Sequence, residues 1–138
     1  MGLQDPLGQG FDPFLRGRYS GVNTEPGTTG MTGKPSPIAK RLKEARTHAG
    51  LSQRQLGIEA GIDAFSASPR INQYEKGKHM PDFATARRLA AVLGVPTPFL
   101  YTEDDVMAEL LLLTGALSQR DLRKLLRELQ RRTDGKSR

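Results

Sequence analysis

Residues 53–76 read QRQLGIEAGIDAFSASPRINQYEK, and this stretch decides the fold. Ser52 is placed to cap a helix over Gln53 to Ala60, and Gly61 ends that helix where left-handed backbone is favoured. Gly57, four residues before Gly61, supplies the small residue that close contact between two consecutive helices requires. A second short helix after the turn completes a helix-turn-helix unit. This geometry also occurs in proteins that do not bind DNA.

The start of the second helix depends on Pro69. Proline fixes its own φ for a first helical turn and drives the preceding residue into extended backbone, so Ser68 is predicted to be the N-cap. We therefore expect this helix to run from Pro69 to about Lys76 and to close at Gly77. The alternative is a kinked helix that begins at Ala64.

Helical periodicity extends to both sides of this unit. Before it, Ile38, Leu42 and Ala45 share one face of a helix from Ser36 to near Gly50, and the other faces hold Lys40, Arg41, Lys43 and Glu44. After it, Asp82 caps a helix that Gly94 closes, and a short turn at Thr97 and Pro98 holds Phe99 and Leu100. The fold class is therefore all-α, with a five-helix bundle.

Two further helices are expected, from Glu103 to about Leu113 and from Ser118 to about Arg132. The organisation that follows has four parts: a disordered arm over 1–35, the helix-turn-helix domain over 36–101, C-terminal helices over 102–132 and a basic tail over 133–138. The arm is rich in Gly and Pro. Its cluster of apolar and basic residues is either a short docking segment or inert: Phe11, Phe14, Leu15, Arg16, Arg18 and Tyr19.

Composition narrows the classes of function. The 138 residues carry a formal charge of +6, which suits a polyanionic partner because Lys and Arg that neutralise phosphates release counterions. There is no apolar stretch of membrane-spanning length and no signal peptide, so a cytosolic protein is expected. Zero cysteines and two distant histidines, His48 and His79, argue against a metal site, a cofactor or catalysis.

Residues 38–100 resemble the XRE family, the helix-turn-helix domains of phage Cro and repressor proteins. Three segments carry the resemblance: AKRLKEARTHAGLSQRQLGIEAGI, INQYEKGKHMPDF and RRLAAVLGV. It implies a bundle like that of λ repressor, with DNA as the partner. About four more residues lie between Ile62 and Ile71 than the family turn holds, so a lengthened turn before the recognition helix is expected. The resemblance also implies a pair between Arg46 and Glu75.

The recognition helix has an inward and an outward face. Ile71 and Tyr74 are three residues apart and should pack inward on Leu56 and Leu89, while Gly57 and Gly61 have structural roles at the helix contact and the turn. Arginine suits guanine, and Gln or Asn suits adenine. The candidate base readers are Arg70, Gln73, Asn72 and Ser68. The candidate phosphate contacts lie at a helix N-terminus or in basic runs: Ser52, Gln53, Lys76, Lys78, His79 and Lys40.

One such unit contacts too few base pairs for specificity, so a homodimer on a palindromic operator is expected. The leucines of the last two helices exceed what the bundle needs and are candidates for the dimer or partner contact: Leu110, Leu113, Leu122, Leu125, Leu126 and Leu129. They could equally cover the bundle. The leading hypothesis is a transcriptional repressor, with activation left open. The alternative is a DNA-binding antitoxin of a toxin-antitoxin pair, or a partner-docking protein with such a module.

Overall fold

The computed structural model describes residues 35–136, so the predicted disorder and docking segment of residues 1–34 lie outside the described residues. The described chain is helical throughout, which confirms the all-α class and the order of a five-helix bundle followed by two further helices. The helices are α1 (Pro37–Ala49), α2 (Gln53–Glu59), α3 (Ala64–Glu75), α4 (Phe83–Leu93), α5 (Thr97–Leu100), α6 (Asp105–Gly115) and α7 (Gln119–Asp134).

Side-chain caps fix most of the helix starts. Ser52 Oγ accepts from the Gln55 N–H at 3.0 Å while the Gln55 side chain accepts from the Ser52 N–H, which forms a capping box. Asp82 caps α4 by accepting from the Thr85 N–H at 2.7 Å, and the hydrogen bonding from Thr85 lowers the pKa of that carboxyl. Ser118 caps α7, as predicted. These local hydrogen bonds mark the helix boundaries.

The core lies between α1 and the four helices that follow it. The predicted inward residues of α1 are all buried, and they pack with Leu56 of α2, Ile71 and Tyr74 of α3, and Leu89 of α4. Apolar area removed from water stabilises the bundle by about 25 cal/mol per Å². α6 also contributes to this core through Ala108 and Leu112. Leu112 therefore covers the bundle, which is the alternative left open for the leucines of the last two helices.

The recognition helix α3 begins at Ala64, so the predicted start at Pro69, with Ser68 as its cap, is wrong. Asp63 is the N-cap: its carboxylate accepts from the Phe65 N–H at 3.0 Å. The additional residues therefore lengthen the helix, and the expected long turn is a short one over residues 60–63. The alternative start at Ala64 is the correct one.

A close contact between α2 and α3 explains why the helix runs back past the proline. Gly57 faces Ala67, which is fully buried, and a Cβ at position 57 would lie 2.7 Å from the Ala67 Cβ. Pro69 forfeits only the one hydrogen bond that would reach the Phe65 carbonyl. The packing of Ala67 on Gly57 requires helical backbone before Pro69, and this packing decides where α3 starts.

Arg41 is fully buried, although the periodicity predicts an outward position for it. Its guanidinium donates to the Thr102 carbonyl at 2.8 Å and to the Glu103 carbonyl at 2.9 Å, and it pairs with Asp105 at 2.9 Å. It also lies over the Phe99 ring, 5.7 Å from the ring centre. These partners satisfy the buried charge, so α1 is joined to the segment that leads into α6.

The environment of Glu44 is less favourable. Burial raises the pKa of the Glu44 carboxyl, against the lowering effect of Arg41 and Lys40, and Glu44 Oε1 is buried without a hydrogen-bond partner among the described residues.

The last helix, α7, is strongly amphipathic but buries none of its residues. Leu122 and Leu125 are half-buried, whereas Leu126 and Leu129 are 54% and 45% exposed. The apolar stripe of α7 therefore faces outward. None of the helices described between residues 35 and 136 combines the length and apolar character that crossing a membrane requires.

A Gly57→Ala substitution should destabilise the fold by about 1–3 kcal/mol, because the added methyl overlaps Ala67 and forces α2 and α3 apart. Thermal unfolding followed by circular dichroism measures the effect. The double variant Gly57→Ala/Ala67→Gly removes the Cβ–Cβ part of the overlap, leaving the contact with the Ala67 Cα at 2.9 Å, and should unfold at a higher temperature than expected from adding the two single effects. An unchanged midpoint for Gly57→Ala would contradict the close contact.

Candidate nucleic-acid interface

The outward face of α3 is polar and accessible. Arg70, Gln73 and Lys76 are exposed, while Ile71 and Tyr74 are buried on the opposite side. Asn72 is half-buried at the edge between the two faces. The helix therefore places a guanidinium and an amide, the groups that pair with base edges in the major groove, toward solvent.

The carboxylate of Glu75 joins three helices. Arg46 of α1 donates to Glu75 Oε1 at 2.5 Å and to Oε2 at 3.3 Å, and Gln53 Nε2 of α2 donates to Oε2 at 2.6 Å. Arg46 also donates to the Leu51 carbonyl at 2.9 Å. The side chains of Arg46 and Glu75 are 16% and 3% exposed, so the pair that the resemblance implied is present and largely buried.

Gln53 and Asn72 belong to the same network. Gln53 Nε2 lies 3.3 Å from Asn72 Oδ1 and donates to it. The amide N–H groups of Gln53 are thus directed at α3, and the amide oxygen of Asn72 is directed at α2. Both side chains were expected to contact DNA; the structure gives each of them a structural partner, and their DNA contacts stay predictions.

The loop after α3 folds back over the end of the helix. The Lys78 N–H donates to the Gln73 carbonyl at 3.0 Å, and Gly77 allows the reversal with a φ of 72°. A shallow groove results beside the recognition helix, lined by Arg70, Gln73, Tyr74, His79 and Met80. Two of the four candidate readers, Arg70 and Gln73, therefore share one surface with His79 of the candidate basic run.

Three other candidate residues have different surroundings. Ser52 lies at the exposed start of α2, where its hydroxyl forms the cap. Ser68 is half-buried in the middle of α3.

Lys40 Nζ pairs with Asp105 at 3.2 Å and approaches Glu44 at 3.9 Å. Burial acts to raise the pKa of Asp105, but hydrogen bonds from Lys40 and Arg41 outweigh it, and the pKa is lowered. Lys40 is therefore already neutralised by carboxylates.

Sequence reasoning missed two exposed apolar side chains, Phe65 in the first turn of α3 and Met80 in the groove, which are 94% and 60% exposed. The signal for Phe65 was available: Ala67 lies four residues before Ile71, so the inward spacing of α3 extends back beyond Pro69. The preference of Pro69 for a first helical turn opposes this spacing. No local pattern in the sequence marks Met80, which reaches the groove through the fold of the loop.

Comparisons with known proteins agree with this geometry. Residues 39–106 match the sequence profile of a family described as "Helix-turn-helix domain". The SPbeta prophage-derived HTH-type transcriptional regulator YonR of Bacillus subtilis is 38% identical over 63 residues, which are 46% of this chain and 55% of YonR. The HTH-type transcriptional regulator ImmR of the same organism is 32% identical over 69 residues, 50% of this chain and 51% of ImmR. The chain spans about half the length of these curated relatives.

A solved structure extends the match. The transcriptional regulator BswR is 45% identical to this chain and superimposes on it with a TM-score of 0.62. The match covers 67% of this chain and 92% of BswR. The chain belongs to the XRE-type helix-turn-helix family, and residues 39–106 contain its DNA-binding domain. The family resemblance read from the sequence is thereby confirmed.

A Glu75→Ala substitution should lower the free energy of unfolding by about 3 kcal/mol, since it leaves the largely buried Arg46 guanidinium and the Gln53 amide without their main acceptor. Chemical denaturation measures the loss. The matched control is Glu59→Ala, which removes an exposed carboxylate at the end of α2 and should change stability by less than about 0.5 kcal/mol. Equal effects of the two substitutions would show that Glu75 does not hold the helices together.

Proposed function

We propose that this chain is a sequence-specific transcriptional repressor that binds a palindromic operator as a homodimer. One observation carries the proposal: the polar outward face of α3 lies on a helix that is held to α1 and α2 by the largely buried Glu75 network. A reading surface gains specificity when its supporting residues are fixed before DNA arrives. The names of the related proteins support regulation of transcription.

Arg70 and Gln73 are the principal base readers in this proposal. Both are exposed, and both line the groove beside α3. Arg70 offers two donors for the O6 and N7 atoms of guanine, and Gln73 offers the donor and acceptor that adenine requires. Asn72 and Ser68 are secondary readers, because Asn72 already bonds Gln53 and Ser68 is half-buried.

Phosphate contacts would come from the exposed basic residues that follow the readers, Lys76, Lys78 and His79. Ser52 and Gln53, at the start of α2, would approach the backbone where helix N–H groups point outward. Lys40 is the weakest of these candidates, because Asp105 is its partner in the structure. Such contacts fix the register on the duplex without reading its sequence.

In this proposal two copies pair through residues 102–132, which lie outside the DNA-reading unit of residues 36–101. The stripe of α7 contains the exposed Leu126 and Leu129 together with the half-buried Leu122 and Leu125, and Leu110 is exposed on α6 and Leu113 half-buried. Residues 103–115 carry four carboxylates and no basic residue, whereas residues 119–134 carry six basic and three acidic residues. Because no residue of α7 is fully buried in its own chain, these complementary charges suit contact between the helices of two copies.

The same exposed face also suits a second candidate, an antitoxin or docking protein that binds a different protein through α7. An apolar stripe on a helix of net positive charge would then receive an acidic partner. The oligomeric state of the purified chain separates this candidate from the homodimer.

Selection of bound sequences from random duplexes tests the proposal directly. A palindromic winner, bound at least about a thousandfold more tightly than a scrambled duplex, is the expected result. Addition of the protein to a promoter that carries the winner should then reduce transcription in vitro. Equal binding of both duplexes, with steep salt dependence, would contradict sequence-specific reading.

An Arg70→Ala substitution should cost about 1–3 kcal/mol of binding on the selected operator and relax the preference at one base pair of each half-site. Affinity titrations against all four base pairs at that position measure it. The matched control is Lys78→Ala, which should weaken binding to operator and scrambled duplex alike and reduce the salt slope by about one. Uniform weakening by Arg70→Ala would assign that residue to phosphate instead.

A Leu126→Gln/Leu129→Gln double substitution should convert the dimer to a monomer without loss of helicity, since neither side chain is buried in the bundle. Light scattering gives the mass, and circular dichroism gives the helix content. Lys124→Gln/Arg131→Gln changes the opposite face of α7 and should remain dimeric. A wild-type chain that is monomeric at micromolar concentration would instead favour the docking candidate.

A further inference from the structure

Phe65 is the most exposed large apolar side chain in residues 35–136, at 94%. It is the second residue of α3, and the Asp63 carboxylate fixes its backbone by accepting the Phe65 N–H at 3.0 Å. An aromatic ring exposed to this extent on an ordered helix gains nothing from the fold. Its apolar surface is available to a binding partner.

The helical register places Phe65 on the face of α3 that carries the candidate readers. Ala67, Ile71 and Tyr74 mark the buried side. Phe65 is four, seven and eleven residues before Pro69, Asn72 and Lys76, and residues at these spacings lie within about 40° of Phe65 around the helix. The ring therefore belongs to the outward stripe that ends near Lys76.

The position along the helix is as important as the face. In helix-turn-helix proteins the N-terminal residues of the recognition helix reach the base edges. α3 begins one turn earlier than Pro69 would allow, and Phe65 lies in that additional turn, about 6 Å along the axis from Pro69. The N-terminal end of α3, which would enter the major groove of DNA, thus presents an aromatic ring.

We propose that Phe65 reads thymine, by packing its ring on the 5-methyl group in the major groove of the operator. The thymine methyl is the apolar group that base pairs display in this groove, and apolar side chains recognise it by contact. The assignment rests on the proposed sequence-specific binding and adds a thymine to the bases read by Arg70 and Gln73. It predicts one methyl-dependent position in each half-site.

Deoxyuridine tests the assignment, because it replaces thymine with loss of the methyl group alone. Each thymine of the selected operator is replaced in turn, and the affinities of wild type, Phe65→Ala and Phe83→Ala are measured. Phe83 is the matched control, an exposed phenylalanine at the first position of α4. At one thymine per half-site, deoxyuridine should weaken wild type and Phe83→Ala about fourfold, the change expected for one buried methyl group. Phe65→Ala should bind the two duplexes equally.

The outcomes separate this assignment from the proposed function. Equal deoxyuridine sensitivity of wild type and Phe65→Ala at every position would overturn the thymine contact while leaving sequence-specific binding intact. Weaker binding of Phe65→Ala to operator and scrambled duplex alike, with no methyl-dependent position, would also overturn it. Failure of wild type to prefer the operator over the scrambled duplex would overturn the proposed function itself. Because Phe65 is exposed and alanine favours helix, Phe65→Ala should fold normally.

Discussion

The contact between Gly57 and Ala67 is the constraint on which the rest of the recognition unit depends. A side chain at position 57 would collide with the backbone and the Cβ of Ala67, so the two helices cross where both have almost no side chain. Such close approach leaves little room for alternative packing. It fixes where α3 crosses α2 and requires helical backbone at Ala67, before Pro69, and the Asp63 cap sets the start of the helix at Ala64. The exposed first turn, with Phe65, follows from this packing requirement.

The Glu75 carboxylate acts at the other end of α3. Packing at Ala67 sets where the helix crosses, but rotation about that point is restrained by the bonds from Arg46 and Gln53. A buried carboxylate is stable only when its partners are present, so the charge network requires the same arrangement as the apolar core. The outward face of α3 is therefore positioned from both ends before any ligand binds.

Much of the fold could be predicted because local signals coincide with the helix ends. Ser52, Asp82 and Ser118 cap helices where the sequence places them, and Gly94 closes α4. Two predictions failed where a tertiary contact overrode a local preference. Pro69 favours a helix start, but the burial of Ala67 outweighs the single lost hydrogen bond. Arg41 favours solvent by type, yet the carbonyls of Thr102 and Glu103 lie far along the chain and could not be anticipated as partners.

The buried Arg41 links the two functions proposed for this chain. Its bonds to residues 102–105 hold the start of α6 against α1, and Ala108 and Leu112 continue that attachment into the core. The orientation of α6 is thus set by the same bundle that positions α3. In a homodimer that pairs through α6 and α7, the separation of the two recognition helices must match half-sites about one helical turn, or ~34 Å, apart. That separation depends on a rigid connection between α3, which reads DNA, and the helices that pair. The Arg41 interactions supply this connection at residues 102–105, where the chain enters α6.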